Sequence, residues 1–350
     1  MSNILVTVNL VVLNGGKYIR HCLDAILTQT YPHELIEFNI LDNGSTDGTI
    51  DKIKETMSNE QRAWLSKFFL LENKKNLGMW PGQEELLKHS SGKYVLAMAV
   101  DVILDKDFIK NAVGAMEKDN KIGALEAKIY KYDIQKLEIG NWKLEIGGTL
   151  DTCGFKIFKS RRLINIGHGE KDKGRYDGLG EIFGVEGAAP FFRREALESC
   201  RINGQIIDHD YFWYGDDLDL AWRMRMFGWK EIFAPNVIAW HDRQTTKNLR
   251  KSRTDFIKLR RAIPMKKRWL DWRNTRFTIV KNDYTINLFK DLPYILKREV
   301  LMSVYILFFE PKLLLKIPNF LKLLPKMLRR RKEIMKKAVI KPQEIEKWFQ

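Results

Sequence analysis

The chain has 350 residues, 45% of them hydrophobic and 30% charged, enough apolar material for one large domain or one domain plus a smaller module. Its three cysteines, Cys22, Cys153 and Cys200, are widely spaced with no C-x-x-C, which argues against a disulfide framework and a cysteine-based zinc site. The net charge of +16 sits at one end: Asp242 to Gln350 carries 29 basic and 10 acidic residues, or +19, against −3 for everything before it, so an enzyme-like body is followed by a basic appendage suited to an anionic partner surface.

In chain order, Leu5 to Leu13 is an apolar β-rich run, as a buried parallel strand should be. Neither a basic segment before it nor a small-residue cleavage site after it marks a signal peptide. Ile19, Cys22, Leu23, Ile26 and Leu27 follow at amphipathic-helix spacing, closed by Tyr31-Pro32. Ile36 to Leu41 predicts a second strand, and the turn cluster from Asp42 to Gly48 leads into a helix beginning near Thr49. Phe68 to Glu72 and Tyr94 to Ala99 predict strands with a short helix around Gln83 to His89 between them; a helix from Phe108 to Glu117 and a strand from Gly123 to Tyr130 come next. This βαβα order implies a parallel sheet covered by helices on both faces, with ligands at the carboxyl ends of its strands. Asp42, Asn43 and Asp101 lie just past such ends.

From Glu138 to Ile166 the pattern is that of a β-hairpin insertion, and Gly167 to Gly184 reads as a loop rich in glycine and charge. Asp216 to Phe227 predicts a helix stopped by Gly228. Ile232 to Trp240 is extended but broken at Pro235-Asn236, and basic helices follow His241. No stretch reaches the roughly 18 apolar residues of a spanning helix, so the expected location is the cytoplasm.

The segments VNLVVLNGGKYIRHCLDAILTQTYP, FNILDNGSTDGT, NLGMWPGQEELLKHSSGKYVLAMAVDV, DTCGF, GVEGAAPFFRREAL, YGDDLDLAWRMRMFGW and APNVIAWH, between about residues 4 and 241, carry a resemblance. In this order the chain resembles the family 2 inverting glycosyltransferases of GT-A fold, nearest to a bacterial rhamnosyltransferase-like branch, which the tail segment RNTRFTIVKND also resembles. The resemblance implies an α/β GT-A fold with a mostly parallel twisted sheet. Residues 1–241 would form the catalytic domain, 1–130 its nucleotide-sugar half and 131–241 its acceptor half, with 242–350 a basic helical extension.

The resemblance also assigns roles. Asp42 and Asn43 would read the base and ribose of a nucleotide sugar, with Asn14 and Gly78 also on the donor, while Ser45, Thr46 and Gly48 stay structural. A diphosphate leaving group calls for a hard cation held by carboxylate oxygens. The family's acidic motif is Ala99-Val100-Asp101 here, so only its last acid, Asp101, is kept as ligand to Mg²⁺ or Mn²⁺. His241 would complete the metal shell. An inverting transfer needs a carboxylate to take the acceptor's proton, and Asp217 of the Asp216-Asp217 pair is the expected base, with Asp216 positioning the acceptor. Repulsion between the neighbours raises one pKa, and the helix N-terminus opposes that rise. Asp219 stands four residues before Arg223, as in a helix ion pair. Glu186, Gly187 and Ala188 would border the acceptor, and the basic loop Thr246 to Lys251 is either a solvated loop or a closure over the diphosphate.

Beyond Lys281, apolar residues such as Leu301, Val304, Phe308 and Phe309 alternate with cations and lead into Arg329-Arg330-Arg331-Lys332. This is the pattern of an interfacial helix set on an anionic membrane or of a helical subdomain on the core. No nucleic-acid motif is visible. The expected function is transfer of a sugar, rhamnose or another hexose, from a dTDP- or UDP-sugar donor to a hydroxyl of a glycan or lipid-linked acceptor in cell-surface polysaccharide synthesis, at the inner face of the plasma membrane. The alternatives are a sugar nucleotidyltransferase, whose glycine-rich basic loop after the first strand LNGGKYIRHC resembles only weakly, and a non-catalytic nucleotide-sugar-binding or membrane-docking protein.

Overall fold

The computed structural model describes residues 5–138, 144–243 and 253–350. They form two compact units that interleave along the chain: residues 5–155, 165–199 and 229–243 in the first, and 156–164, 200–228 and 253–350 in the second.

The first unit is built on a nine-stranded sheet. Its strands are β1 (Val6–Val12), β2 (Ile36–Asp42), β3 (Lys67–Glu72), β4 (Tyr94–Met98), β5 (Val102–Leu104), β6 (Ile122–Lys131) and β7 (Leu150–Thr152). A two-stranded ribbon, β8 (Phe155–Ile157) with β9 (Leu163–Asn165), interrupts the series before β10 (Phe191–Arg193) and β11 (Lys230–His241) complete the sheet. Its order is β3-β2-β1-β4-β10-β6-β11-β5, with β7 beside β6. β1, β2, β3 and β4 run parallel, as do β6 and β11, while β10 is antiparallel to both β4 and β6. Every residue of β1, β2 and β4 is buried, as expected of strands covered on both faces.

The helix Ile19–Leu27 forms where its spacing puts it and buries Ile19, Cys22, Leu23 and Ile26. The next helix toward β4 differs from expectation: it spans Met79–Leu87, four residues earlier than the sequence pattern suggests. Pro81 falls in its first turn, where a missing N–H costs nothing, and Gly78, at φ +95°, makes the sharp entry. Pro235-Asn236 does not break β11, which loops out three residues between Ala234 and Ile238 and resumes its pairing with β6 as a bulge.

The second unit is helical. Asp216–Met226, Met265–Asn282, Leu292–Phe309 and Ile317–Lys337 are its main helices. Small apolar clusters hold them, one around Trp269, Leu270, Tyr305, Ile306 and Leu313, another around Tyr211, Phe277 and Met327. Among the described residues no helix is long and apolar enough to cross a membrane.

Candidate active site

At the carboxyl ends of β1 and β2, two loops are stitched together. Asn14, at φ 52°, accepts from the Thr46 N–H at 2.8 Å, and its own N–H donates to Ser45 Oγ at 2.8 Å. The Gly15 and Gly16 amides donate to Thr49 Oγ1 and Asp47 Oδ2. An added Cβ at Gly16 would meet the Asp47 backbone oxygen at 3.0 Å as well as that carboxylate oxygen at 2.9 Å, so the close approach favours glycine. Asp42 ends β2, and its Oδ1 accepts the Gly44 and Ser45 amides at 2.9 and 2.8 Å while the buried Oδ2 has no partner among the described residues. A buried acceptor of this kind is costly unless something donates to it. The Asn43 side chain accepts from the Leu77 N–H and donates to the Gly78 carbonyl, tying the NLG turn to the end of β2.

At the other end of the first unit's chemistry stand Asp101, in the turn between β4 and β5, and His241, the last residue of β11. Pairing of β11 with β5 sets His241 opposite Val102, which brings Nε2 to 3.4 Å from Asp101 Oδ2. The other ring nitrogen, Nδ1, lies 2.9 Å from Asp151 Oδ2. Burial lowers the affinity of His241 for its proton, but the hydrogen bond and charge of Asp101, helped by Asp151, push its pKa up to about 10. Burial raises the Asp101 carboxyl, and His241 more than offsets this, leaving it below the ordinary carboxylate value.

Asp151 is the hub of this cluster. Its fully buried carboxylate also takes the Arg243 guanidinium Nε at 2.8 and 2.9 Å and lies 3.4 Å from His168 Nδ1. Burial would raise its pKa, but the His168 and His241 hydrogen bonds and the Arg243 charge hold it well below the usual range. Arg243 reaches on to Glu186, 2.9 Å away. Glu186 folds its second oxygen onto the Ala188 N–H at 2.9 Å and donates its own N–H to Glu126. Burial, and then the neighbouring Glu186 charge, push Glu126 well above the carboxylate range. The Ala99 N–H donates to the Ala188 carbonyl at 2.9 Å, so the segment Glu186-Gly187-Ala188 runs beside Ala99-Val100-Asp101. Gly187 is exposed between its buried neighbours.

The sequence pattern points to Asp101, His241 and Glu186 but not to Asp151, Arg243, Glu126 or His168, which join them. The only sequence signals are the Asp of DTCGF and an arginine two residues past His241. Asp101 and His241 fit a hard divalent cation that takes the place of the Nε2 proton: one carboxylate oxygen, one imidazole nitrogen, and a ring fixed from behind by the Asp151 carboxylate. Among the described residues no group of three or more His, Cys, Asp or Glu side chains forms a ready cage, so most positions on such a cation would fall to diphosphate oxygens and water, as is usual for Mg²⁺.

Asp216 and Asp217 belong to the second unit. They open the helix Asp216–Met226 after Gly215, whose φ is +74°, and both are half-buried. The turn ahead of them is unusual, with Phe212 and Tyr214 both at positive φ, a strained state for bulky residues. Asn274 holds it: the fully buried amide donates to the carbonyls of Tyr211, Trp213 and Tyr214 at 3.0, 2.8 and 2.7 Å. Asp219 pairs with Arg223 at 2.9 Å and also with Lys281 at 2.9 Å. The basic loop Thr246 to Lys251 lies outside the described residues.

Residues 7–199 match the family described as glycosyl transferase family 2. An uncharacterized glycosyltransferase of Haemophilus influenzae is 31% identical over 121 residues, 35% of each chain. The dolichyl N-acetyl-alpha-D-glucosaminyl phosphate 3-beta-D-2,3-diacetamido-2,3-dideoxy-beta-D-glucuronosyltransferase of Methanococcus voltae is 30% identical over 108 residues, 31% of this chain and 32% of its own. The matched segment thus spans about a third of these relatives. Among solved structures, the mannosyltransferase of Pyrobaculum calidifontis in complex with GDP-Man and Mn²⁺ superposes with a TM-score of 0.53 at 17% identity, over 95% of this chain and 86% of that one. TarS 1–349 of S. aureus in complex with UDP-GlcNAc gives 0.53 at 14% identity, over 98% and 90%. Fold and family match therefore agree, and the chain belongs to glycosyl transferase family 2.

Proposed function

We propose that this protein is an inverting, metal-assisted glycosyltransferase that moves a sugar from a nucleoside diphosphate to a hydroxyl of a glycan or lipid-linked acceptor. The observation that carries this reading is the Asp101–His241 pair, 3.4 Å apart, with His241 backed by Asp151. Two relatives of the same fold were solved with a nucleotide sugar, one of them with Mn²⁺ as well.

In this reading the unpartnered Asp42 Oδ2 accepts from the base or ribose of the donor, in a cradle whose shape Asn14, Asn43 and Gly78 maintain. Asp101 and His241 would hold Mg²⁺ or Mn²⁺, which when bound would supply positive charge to the departing diphosphate. Asp217 accepts the proton of the acceptor hydroxyl as its oxygen bonds to the anomeric carbon and the bond from that carbon to the diphosphate breaks. Asp216 and the segment Glu186-Gly187-Ala188 position the acceptor. The first donors to try are dTDP-deoxyhexoses such as dTDP-rhamnose, as the rhamnosyltransferase-like motifs suggest, then UDP-sugars. The division at residue 241 into a catalytic body and a basic extension belongs to the same reading. So does a place in cell-surface polysaccharide synthesis, at the cytoplasmic face of the membrane that carries a lipid-linked acceptor.

The test is a donor panel: the protein with Mn²⁺ and each sugar nucleotide, read by diphosphate release and by thermal shift with and without EDTA. Full activity in EDTA would remove the metal from this account. Binding of a sugar nucleotide with no turnover on any acceptor favours a binding protein, for which Ala99 in place of an acid is the supporting feature.

A further inference from the structure

The helix Leu292–Phe309 has two apolar faces. One is internal: Ile295, Tyr305 and Ile306 are buried, and the latter two join the cluster of Trp269, Leu270 and Leu313. The opposite face carries Leu296, Val300, Val304 and Leu307 in steps of four, four and three, with Leu301 and Phe308 alongside. All six are exposed, from 48% for Val304 to 72% for Phe308. In the turn that packs on this helix, Pro311–Lys316, Leu315 is 81% exposed. A helix facing water normally puts polar side chains on that stripe, and a contiguous exposed apolar patch marks an interaction site.

What covers the patch can be read from its charge. Lys297 stands within the stripe, exposed Lys312 and Lys322 follow on the adjoining elements, and the whole segment from Asp242 carries +19. A second copy docking by two-fold symmetry would set the same cations against each other. An anionic bilayer offers the opposite charge to the lysines and an apolar layer to the stripe. We infer that the exposed face of Leu292–Phe309 docks on an anionic bilayer surface, its leucines, valines and Phe308 entering the headgroup–acyl boundary and its lysines meeting lipid phosphates. The helix holds Lys297, Arg298 and Glu299 within its 18 residues and lies on the bilayer rather than spanning it. This gives a surface to the membrane placement proposed above and is independent of the transfer chemistry.

The test uses the full-length protein in vesicle flotation, with phosphatidylcholine alone and with added phosphatidylglycerol, and a Val300→Gln/Phe308→Gln variant. Both positions are exposed, so the variant should keep the wild-type melting temperature and the thermal shift with a sugar nucleotide. Wild type is expected to float with phosphatidylglycerol vesicles at low salt and little with phosphatidylcholine, and the variant to bind at least about 10-fold more weakly, since burying one such side chain is worth about that factor or more. Folded wild type that ignores anionic vesicles overturns the inference. So does a variant that floats as well as wild type, or a wild-type dimer in solution that the variant dissolves, which would make a second copy the occupant.

Discussion

The two units keep their charge in different places. In the first, the strands β1, β2 and β4 are buried throughout, and the Asp101–His241–Asp151–Arg243–Glu186 cluster gathers where β4, β7 and β11 end. In the second, ion pairs run through the interior. Arg161, fully buried, bonds Asp283 at 2.7 Å and Asp291 at 2.6 Å. Glu310 takes Arg268 and Arg260 at 2.6 and 3.1 Å, and Asp219 takes Arg223 and Lys281. The first unit thus concentrates charge in that cluster, beside a few separate buried groups such as Glu37 and the Lys128–Asp172 pair. The second spends cations inside and leaves leucines, valines and phenylalanines on its surface. A +19 segment is therefore not simply a solvated basic tail: part of that charge is structural, and the apolar face is what remains for a partner.

The largest expected effect lies at the proposed base. Asp217→Asn keeps the shape of the helix start, because an Asn Oδ1 can still accept the Leu218 N–H that Asp217 takes at 2.8 Å, but cannot accept a proton, so turnover should fall about 10²–10⁴-fold. Donor affinity by thermal shift should barely move. An Asp217→Asn enzyme that transfers sugar at the wild-type rate would transfer the role to Asp216.

A comparable energy is expected in the second unit from Arg161. Arg161→Met leaves two buried carboxylates without their cation, and removing one member of a buried pair costs about 3–5 kcal/mol. Chemical denaturation should show this loss. A change below about 1 kcal/mol would mean that this network is not what holds the unit together.

In the first unit, Asp151→Asn should weaken Mn²⁺ binding in the presence of nucleoside diphosphate by about 10–100-fold, the usual cost of losing the group that orients a metal-bound histidine. Titration followed by electron paramagnetic resonance reads this without any turnover. Unchanged affinity would make Asp151 a purely structural anchor for Arg243.

The smallest effect concerns acid. Burial raises the Asp219 carboxyl, but Lys281 and Arg223 lower it further, to about 2. A folded pKa below the unfolded one gives stability that is present above about pH 4 and lost as pH falls toward 2. Asp219→Asn should flatten the acid limb of the melting profile over that window, by about 2 kcal/mol. An unchanged acid limb would assign the lost stability to other carboxylates.

How far the sequence reveals these features also divides by unit. Long apolar runs and helical spacing mark β1, β2 and the helix Ile19–Leu27, because burial dictates their composition. β5 and β10, at three residues each, are too short for any period to show. Asp101 and His241 stand out because each closes a recognisable segment. Asp151 does not, since its partner His241 is 90 residues away and spacing says nothing about such a contact. The same holds for Arg161, paired with Asp283 across 122 residues, and for Asn274, whose restraint of the turn before Asp216 depends on a fold that places the tail beside it. By contrast the exposed stripe of Leu292–Phe309 is visible in outline, and the structure adds which half of the apolar residues is left uncovered.

The most direct measurement of the central claim is diphosphate release by the wild-type protein with a panel of sugar nucleotides, Mn²⁺ and a lipid-linked or glycan acceptor, with Asp101→Ala in parallel. The account predicts release with at least one donor, abolished by EDTA and nearly lost in Asp101→Ala. Equal release from wild type and Asp101→Ala, or from wild type with and without EDTA, would contradict it.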